Sequence, residues 1–394
     1  MTTQPKRRRI SGIAFFIVAL LALFWALLGL PVLLTAYNND FLCYYIGGTL
    51  AREGRFADLY QPSAHWEIQR RVAPGLKEPR PFPRPPWFAL ALAPLTRLPL
   101  LEAYVLWVAA WFAVLLATWS WGAARFGEGA LLLAALFLPT NIGLCYGQDC
   151  VAMLAICCCA WILFERKRMF ASGLALGLGL MKFHLLLFVP VWLIAQKRWR
   201  MLAGFAAVAC VFAVAAFSAL GVSGLEQYVH FLRFGHTELF DHSPETMINV
   251  NSVLENFGIH STIAGALAAA AVIGVSLFGI LRAPAWRGFS IALTASLLIC
   301  PHVFGYDAAM LLLPVWLVIE NSRSKFSRWS ALSLANPVTF YLTALRSPWS
   351  AIPAVALLVF LGALIADPSE AVRREAQAAP ADTALKSLPV VAAP

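Results

Sequence analysis

The chain has 394 residues, of which 60% are hydrophobic and only 13% charged, and its formal net charge is +10. This composition excludes a soluble domain, because too few polar residues remain to cover its surface. The positive charges stand in short clusters between apolar runs. Such clusters indicate the cytoplasmic loops of a membrane protein and argue against a nucleic-acid-binding surface.

The first apolar run, residues 10–34, carries no charge and is long enough to cross a bilayer as a helix. Four basic residues at 6–9 precede it and hold that end in the cytoplasm. Because apolar runs recur along the chain, the first is predicted to be an anchor and not a cleaved signal peptide. It delivers Asn38, Asn39 and Asp40 to the outer face. The alternative for Asp40 is a solvated acid at a helix end.

A long polar loop is predicted at 35–86, and its length indicates a functional role. Segments 44–55 and 63–72 mix aromatic and basic residues, which favours short amphipathic helices on the membrane surface. A proline-rich stretch at 81–86 ends any helix. Residues 87–94 are apolar but too short to span, so they are predicted to be interfacial or re-entrant on the outer side.

Further apolar runs complete the prediction of an all-α integral membrane protein, a polytopic helix bundle of about 12 spans. Basic clusters at 166–168 and 197–200 place two connectors inside, and both termini are then cytoplasmic. Residues 1–366 form one membrane-embedded domain with a second outer loop at 221–260, and 367–394 form a disordered cytoplasmic tail. The later runs lie at about 101–121, 129–144, 151–164, 170–180, 185–195, 201–220, 263–281, 289–299, 308–319, 329–345 and 352–365.

This topology brings several polar residues to the outer side that Asp40 also reaches. Ionisable groups at membrane depth are costly and tend to face a cavity or a partner. We therefore expect a polar cavity that opens outward. The alternative for Asp149 and Asp307 is a role as helix caps, and the alternative for His184 is a hydrogen-bonded interface residue. The converging residues are Gln148, Asp149, Lys182, His184, His302 and Asp307.

The polar residues restrict the chemistry. Spacings typical of zinc ligands and of nucleotide-binding loops are missing from the sequence, so no metal and no cofactor are expected. Gly173, Gly177 and Gly179 form a small-residue stripe that predicts close helix packing. Transfer of a sugar from a lipid phosphate needs only a carboxylate to accept the hydroxyl proton and cationic donors for the departing phosphate.

Ordered motifs between residues 35 and 320 resemble those of glycosyltransferase family 87, formerly domain of unknown function 2029. The family comprises mannosyltransferases of the C-type fold that use polyprenol-phosphate-mannose. The chain departs from its pattern at Phe183, where proline usually follows the lysine, and at Asp149, where the family often has a small or apolar residue. The motifs are Asp40 with Tyr44-Tyr45 and Gly47-Gly48, then 59–62, 88–94, Gly147-Gln148, 173–182, 197–200, Asn251-Ser252, and Pro301-His302 with Tyr306-Asp307.

The resemblance implies a residue-by-residue assignment. Asp40 is then the catalytic base and His302 a second essential group near the donor phosphate, with Lys182 as the family's lysine. The remaining candidates for donor-phosphate or substrate binding are Gln148, His184, Asn39, Tyr44, Tyr45, Asn251 and Asp307.

We therefore expect an inverting hexosyltransferase in the bacterial cytoplasmic membrane, with its site on the outer face. It would move a hexose, mannose by resemblance, from a polyprenyl-phosphate donor to a lipid- or glycan-linked acceptor, among membrane lipids and without nucleic acid. The alternative is a secondary transporter, which also has many spans and internal charges. A third possibility is a ligase or flippase partner for lipid-anchored polymers.

Overall fold

The computed structural model describes residues 40–77, 80–238 and 244–368, together with Gly12, Phe16 and Leu20. The described residues are helical, without a strand. Two 3-10 segments, Gly179–Leu186 and Gly305–Leu311, interrupt the helices at the site described below. The helices are α1 Phe41–Arg52, α2 Pro62–Val72, α3 Pro86–Leu92, α4 Leu100–Phe126, α5 Glu128–Leu136, α6 Leu138–Cys145, α7 Cys150–Glu165, α8 Met169–Leu178, α9 Val189–Ala195, α10 Trp199–Glu238, α11 Val250–Asn256, α12 Thr262–Arg282, α13 Ala285–Ile299, α14 Leu312–Asn321, α15 Lys325–Ala335, α16 Pro337–Tyr341 and α17 Ile352–Ala366.

Within these residues, five helical segments are long and apolar enough to cross a membrane, or six if the bent pair α5–α6 is one span. The protein is therefore a helical membrane protein, but the expected number of about 12 spans is not supported. Several predicted runs form helices that are too short: α7 has 16 residues, which at 1.5 Å each cover only about 24 Å of a 30 Å core. The predicted first span, 10–34, lies almost wholly outside the described residues.

Helix α1 differs from its prediction as an amphipathic helix on the surface. Every residue from Phe41 to Ala51 is buried. The helix packs against α3 and the loop before it. Phe82 of that loop and Leu92 of α3 approach so closely that a β-carbon would not fit on Gly47 or Gly48. Helix α2 does have one buried face, while its basic residues stay exposed. Helix α3 has 7 residues and is too short to span a membrane, as predicted.

Helix α10 continues through the first half of the predicted outer loop 221–260. It bends at Gly221, whose φ of 63° and ψ of −168° are accessible essentially only to glycine. The part beyond the bend packs on the predicted loop 35–86: the rings of Tyr60 and Tyr228 lie 4.8 Å apart, and Gln61 Nε2 donates to Gln227 Oε1 at 3.0 Å. The second half of the predicted loop contains the short helix α11.

Close helix packing is confirmed for two glycines of the predicted stripe, Gly173 and Gly177, where α8 packs on α10, whereas Gly179 meets Leu186. A β-carbon on Gly173 would lie 1.9 Å from the Met201 carbonyl oxygen, and one on Gly204 would lie 2.2 Å from the Phe170 carbonyl oxygen. Gly177 similarly meets Val208. The two backbones approach directly because neither helix has side chains at these positions.

Helices α4, α7 and α14 run in the same direction. At their C-terminal ends, Arg125 contacts both Glu165 and Glu320. Near α17, buried Asp367 receives a hydrogen bond from Ser322 and lies 3.8 Å from Arg287. The predicted disordered tail thus begins with an anchored residue, and its residues 369–394 lie outside the described part. The N-terminal ends of the three helices meet at the opposite end of the bundle, where the polar residues converge.

Candidate functional site

Asp40 immediately precedes α1, and its backbone N–H donates to the Tyr146 carbonyl at 3.2 Å. Its side chain does not cap the helix. Instead Oδ2 accepts a hydrogen bond of 2.6 Å from Gln148 Nε2, and Oδ1 has no hydrogen bond to a described residue. Burial raises the pKa of Asp40 above its usual value, and the Gln148 hydrogen bond partly offsets that rise. The raised pKa means that this carboxylate takes up a proton more readily than an exposed aspartate does.

A buried ion cluster lies next to this carboxylate. Arg84 donates two hydrogen bonds to Asp149, from Nε to Oδ2 at 3.1 Å and from Nη2 to Oδ1 at 2.8 Å. Lys182 Nζ lies 3.0 Å from Asp149 Oδ1 and 2.7 Å from Asp307 Oδ1. Asp307 Oδ2 also accepts from the Phe304 N–H at 3.0 Å. Two cations and two carboxylates thus balance one another away from water.

The cluster decides the role of Asp149. Its side chain makes no cap bond to α7, so the cap alternative does not hold. Burial alone would raise its pKa, but Arg84 and Lys182 outweigh burial and lower the pKa of Asp149 to about 2. Asp149 is therefore a permanent anion. Asp307, in contrast, both caps its 3-10 segment and binds Lys182.

Lys182 lies at a break in the helical run, with φ of −125° and ψ of 58°. Its side chain is only 1% exposed, and both nearby carboxylates already neutralise its charge. The break occurs although Phe183, and not proline, follows. It turns the ammonium toward the start of α7, so the predicted convergence of Lys182 with Gln148 and Asp307 is present in the structure.

The two histidines lie beside the cluster. The ring of His302 packs edge-on against Phe304, with centroids 4.9 Å apart. His184 packs edge-on against Phe183, and its nearby charged groups include Asp307 and Lys182. Both side chains are half-buried.

Three of the predicted residues are not placed in the cluster. Tyr45 directs its hydroxyl to the Leu98 carbonyl at 2.9 Å, whereas Tyr44 enters the cluster. Asn251 is exposed and lies against Gly265 of α12. Asn39 lies outside the described residues.

The sequence interpretation missed two residues that hold the site together. Arg84 supplies the main cation for Asp149. The sequence feature that could have identified it is its position in the proline-rich stretch 81–86, outside any predicted helix. Asn249 caps α11 by accepting from the Ser252 N–H at 2.8 Å, and its Nδ2 donates to the Cys300 carbonyl at 2.8 Å. It therefore ties the start of α11 to the turn that carries His302.

Fold and site together define a polytopic helical membrane protein in which one carboxylate, Asp40, lies beside a buried ion cluster. A family model described as glycosyltransferase family 87 matches residues 82–314, more than half of the chain. The chain belongs to this family and is a membrane glycosyltransferase. The matched residues include the ion cluster but not Asp40. Comparison with curated proteins and with solved structures gives no match.

Proposed function

We propose that the chain transfers a hexose, mannose in the first instance, from a polyprenyl-phosphate donor to a lipid- or glycan-linked acceptor on the outer face of the bacterial cytoplasmic membrane. The donor is a co-substrate, and no other cofactor is invoked. Asp40 acts as the general base, and His302 contacts the donor phosphate. The C-type fold and inversion at the anomeric carbon belong to the same proposal.

The observation that carries the proposal is the contrast between Asp40 and its neighbouring carboxylates. Asp149 and Asp307 are each held by a cation within 3.0 Å. In the described part of the chain no cation forms an ion pair with Asp40, whose Oδ1 has no hydrogen bond. A base must be able to gain a proton, and Asp40 is the carboxylate of this group whose pKa burial raises and that no cation holds in an ion pair.

The reaction balances as one displacement. The acceptor hydroxyl oxygen forms a bond to the anomeric carbon as the bond from that carbon to the phosphate oxygen breaks. The hydroxyl proton passes to Asp40, and polyprenyl phosphate leaves with the electron pair. A cationic or N–H donor near the leaving oxygen stabilises its charge, and His302 is the half-buried candidate on this side.

Lys182 enters the proposal as a fixed cation behind the site. A donor phosphate would have to displace Asp149 or Asp307 to bind it directly. We therefore assign Lys182 to holding the cluster and adding positive potential near the phosphate. The location of the polar residues at the ends of α7 and α14 supports a transferase over a transporter, whose substrate sites lie near mid-depth.

Asp40→Asn tests the proposal, because it retains the shape of the side chain but cannot accept the proton. We expect transfer from labelled polyprenyl-phosphate mannose to a lipid extract to fall by a hundred- to ten-thousand-fold, the usual contribution of a general base. Asp58→Asn is the matched control: Asp58 is on the same outer loop, paired with Arg55 at 2.8 Å, and outside the cluster. Normal transfer by Asp40→Asn would reject Asp40 as the base and leave the transferase with a different proton acceptor.

A further inference from the structure

The side-chain amide of Gln148 has polar partners on both of its ends. Its Oε1 accepts from Tyr44 Oη at 2.7 Å, from Arg84 Nη2 at 3.2 Å and from Lys182 Nζ at 3.3 Å. Its Nε2 donates to Asp40 Oδ2 at 2.6 Å. The amide is buried and is the link between the ion cluster and the carboxylate proposed as the base.

This chemistry permits only one orientation of the amide. Arg84 and Lys182 are donors without acceptor capacity, so a flipped amide would place its NH₂ group against two cations. The flip would also turn Oε1 toward the carboxylate oxygen of Asp40. Both contacts would be repulsive, and the fully connected arrangement is therefore strongly preferred.

The backbone holds the amide in place as well. Gly147 has a φ of 69°, and a β-carbon there would lie 2.9 Å from both Phe41 and Tyr104. The Gln148 N–H donates to the Gly143 carbonyl at 2.8 Å, which closes the turn between α6 and α7. The turn is thus pressed against the start of α1, next to Asp40.

We infer that Gln148 is a positioning residue for Asp40: its amide, oriented by Tyr44, Arg84 and Lys182, fixes Oδ2 and leaves Oδ1 to receive the acceptor proton. The inference rests on the proposed function of Asp40 as the base. Gln148 does not itself touch the reacting atoms. It selects which oxygen is the base and favours the charged form of the carboxylate.

The inference predicts a shift in the pH dependence of transfer. Activity requires charged Asp40, so the rate falls as the pH drops through the raised pKa of this residue. Gln148→Met removes the hydrogen bond that lowers the pKa, and we expect the acid limb of kcat/KM to move up by about one pH unit. Folding should survive, since Tyr44, Arg84 and Lys182 each retain Asp149 as a partner.

Gln196→Met is the matched control. Gln196 Oε1 likewise accepts from Arg198, at 2.9 Å, and from Trp192, at 3.0 Å, while its Nε2 donates to two carbonyls. It therefore carries the same kind of oriented amide far from Asp40. We expect this variant to be less stable but to retain the wild-type acid limb.

The outcomes separate the inference from the proposed function. A wild-type acid limb in Gln148→Met, together with an inactive Asp40→Asn, would overturn the inference and leave the base assignment standing. An active Asp40→Asn would overturn both. If Gln148→Met does not fold, Gln148→Glu serves instead: it retains the shape, places a second carboxylate against Oδ2, and should move the acid limb upward even further.

Discussion

Arg84 shows what a single buried cation does at this site. It reaches Asp149, Tyr44 and Gln148 from a stretch that prolines keep out of any helix. Its own carbonyl accepts from Tyr60 Oη at 2.8 Å. Backbone and guanidinium are therefore both fixed, and Arg84 attaches the segment between α2 and α3 to the ion cluster.

Replacing Arg84 should mainly lower the free energy of unfolding, because Arg84 is not assigned a part in the transfer step. Arg84→Met leaves Asp149 with Lys182 alone, and breaking a buried pair costs about 3 to 5 kcal/mol. We expect a clear drop in the thermal midpoint of the purified protein in detergent. Arg70→Met, at an exposed arginine of α2, should leave it unchanged.

The double variant Arg84→Met with Asp149→Leu distinguishes an ion-pair effect from a packing effect. It removes the anion along with its cation, so part of the lost stability should return. A double variant no more stable than Arg84→Met would mean that the shape of the guanidinium matters and not its charge.

At this scale, the residues that could be predicted from the sequence are those whose polarity is unusual for their surroundings. Gln148, Lys182 and Asp307 stand in apolar stretches, where a polar residue demands a reason. Arg84 was missed because it stands in a polar loop, where an arginine is not unusual. The rejection of a cap role for Asp149 likewise needed coordinates, because both roles place an acid at the start of a helix.

Among the elements, α10 depends on one backbone conformation. Gly221 bends it so that the part beyond can pack on the loop that carries Tyr60, and no described residue lies within 4 Å of where a β-carbon would be. The obstacle to any other residue is therefore conformational and not steric crowding. The bend sets where Tyr228 and Phe231 meet Tyr60.

Gly221→Ala should cost about 1 to 3 kcal/mol, the range for a residue held in so sparsely populated a region. We expect a lower thermal midpoint and faster proteolysis of the outer loop, measured on the purified protein. Gly362→Ala is the control: its β-carbon also meets open space, but it lies within helix α17, where alanine is favoured. Equal stability of the two variants would show that the bend is not needed.

The elements explain why α1 was misread. Aromatic and basic residues at helical spacing predict an amphipathic helix, but the pattern does not tell whether the covering partner is lipid or protein. The tight glycine contacts of α1 with Phe82 and Leu92 depend on chain segments about 40 residues away. The α8–α10 packing was easier to predict, because small residues in an apolar helix have few other uses.

Over the whole molecule, the polar residues divide into two ends. Asp40 and the ion cluster lie at the starts of α7 and α14, and Arg125 with its two glutamates lies at their far ends. The number of spans was not predictable, because hydropathy marks apolar runs without showing which of them cross the membrane. The bundle buries several that are too short to do so.

Impermeant labelling of single cysteines tests the orientation of this two-ended arrangement. With the native cysteines replaced, including the exposed Cys159 and Cys210, Arg71→Cys should react in intact cells and Arg166→Cys only in inverted vesicles. Both positions are exposed. The reverse pattern would place the ion cluster on the cytoplasmic side and contradict the proposed outer-face site.

The residues of the ion cluster are also synthesised in a fixed order, which limits when its ion pairs can form. Its partners emerge from the ribosome at widely separated times: Arg84 and Asp149 first, then Lys182, and Asp307 another 125 residues later. At synthesis rates of about 5 to 20 residues per second, Lys182 is made several seconds or longer before that partner. Asp149 is therefore the anion that can accompany Lys182 into the membrane, while Asp307 completes the assembly only after most of the chain has been made.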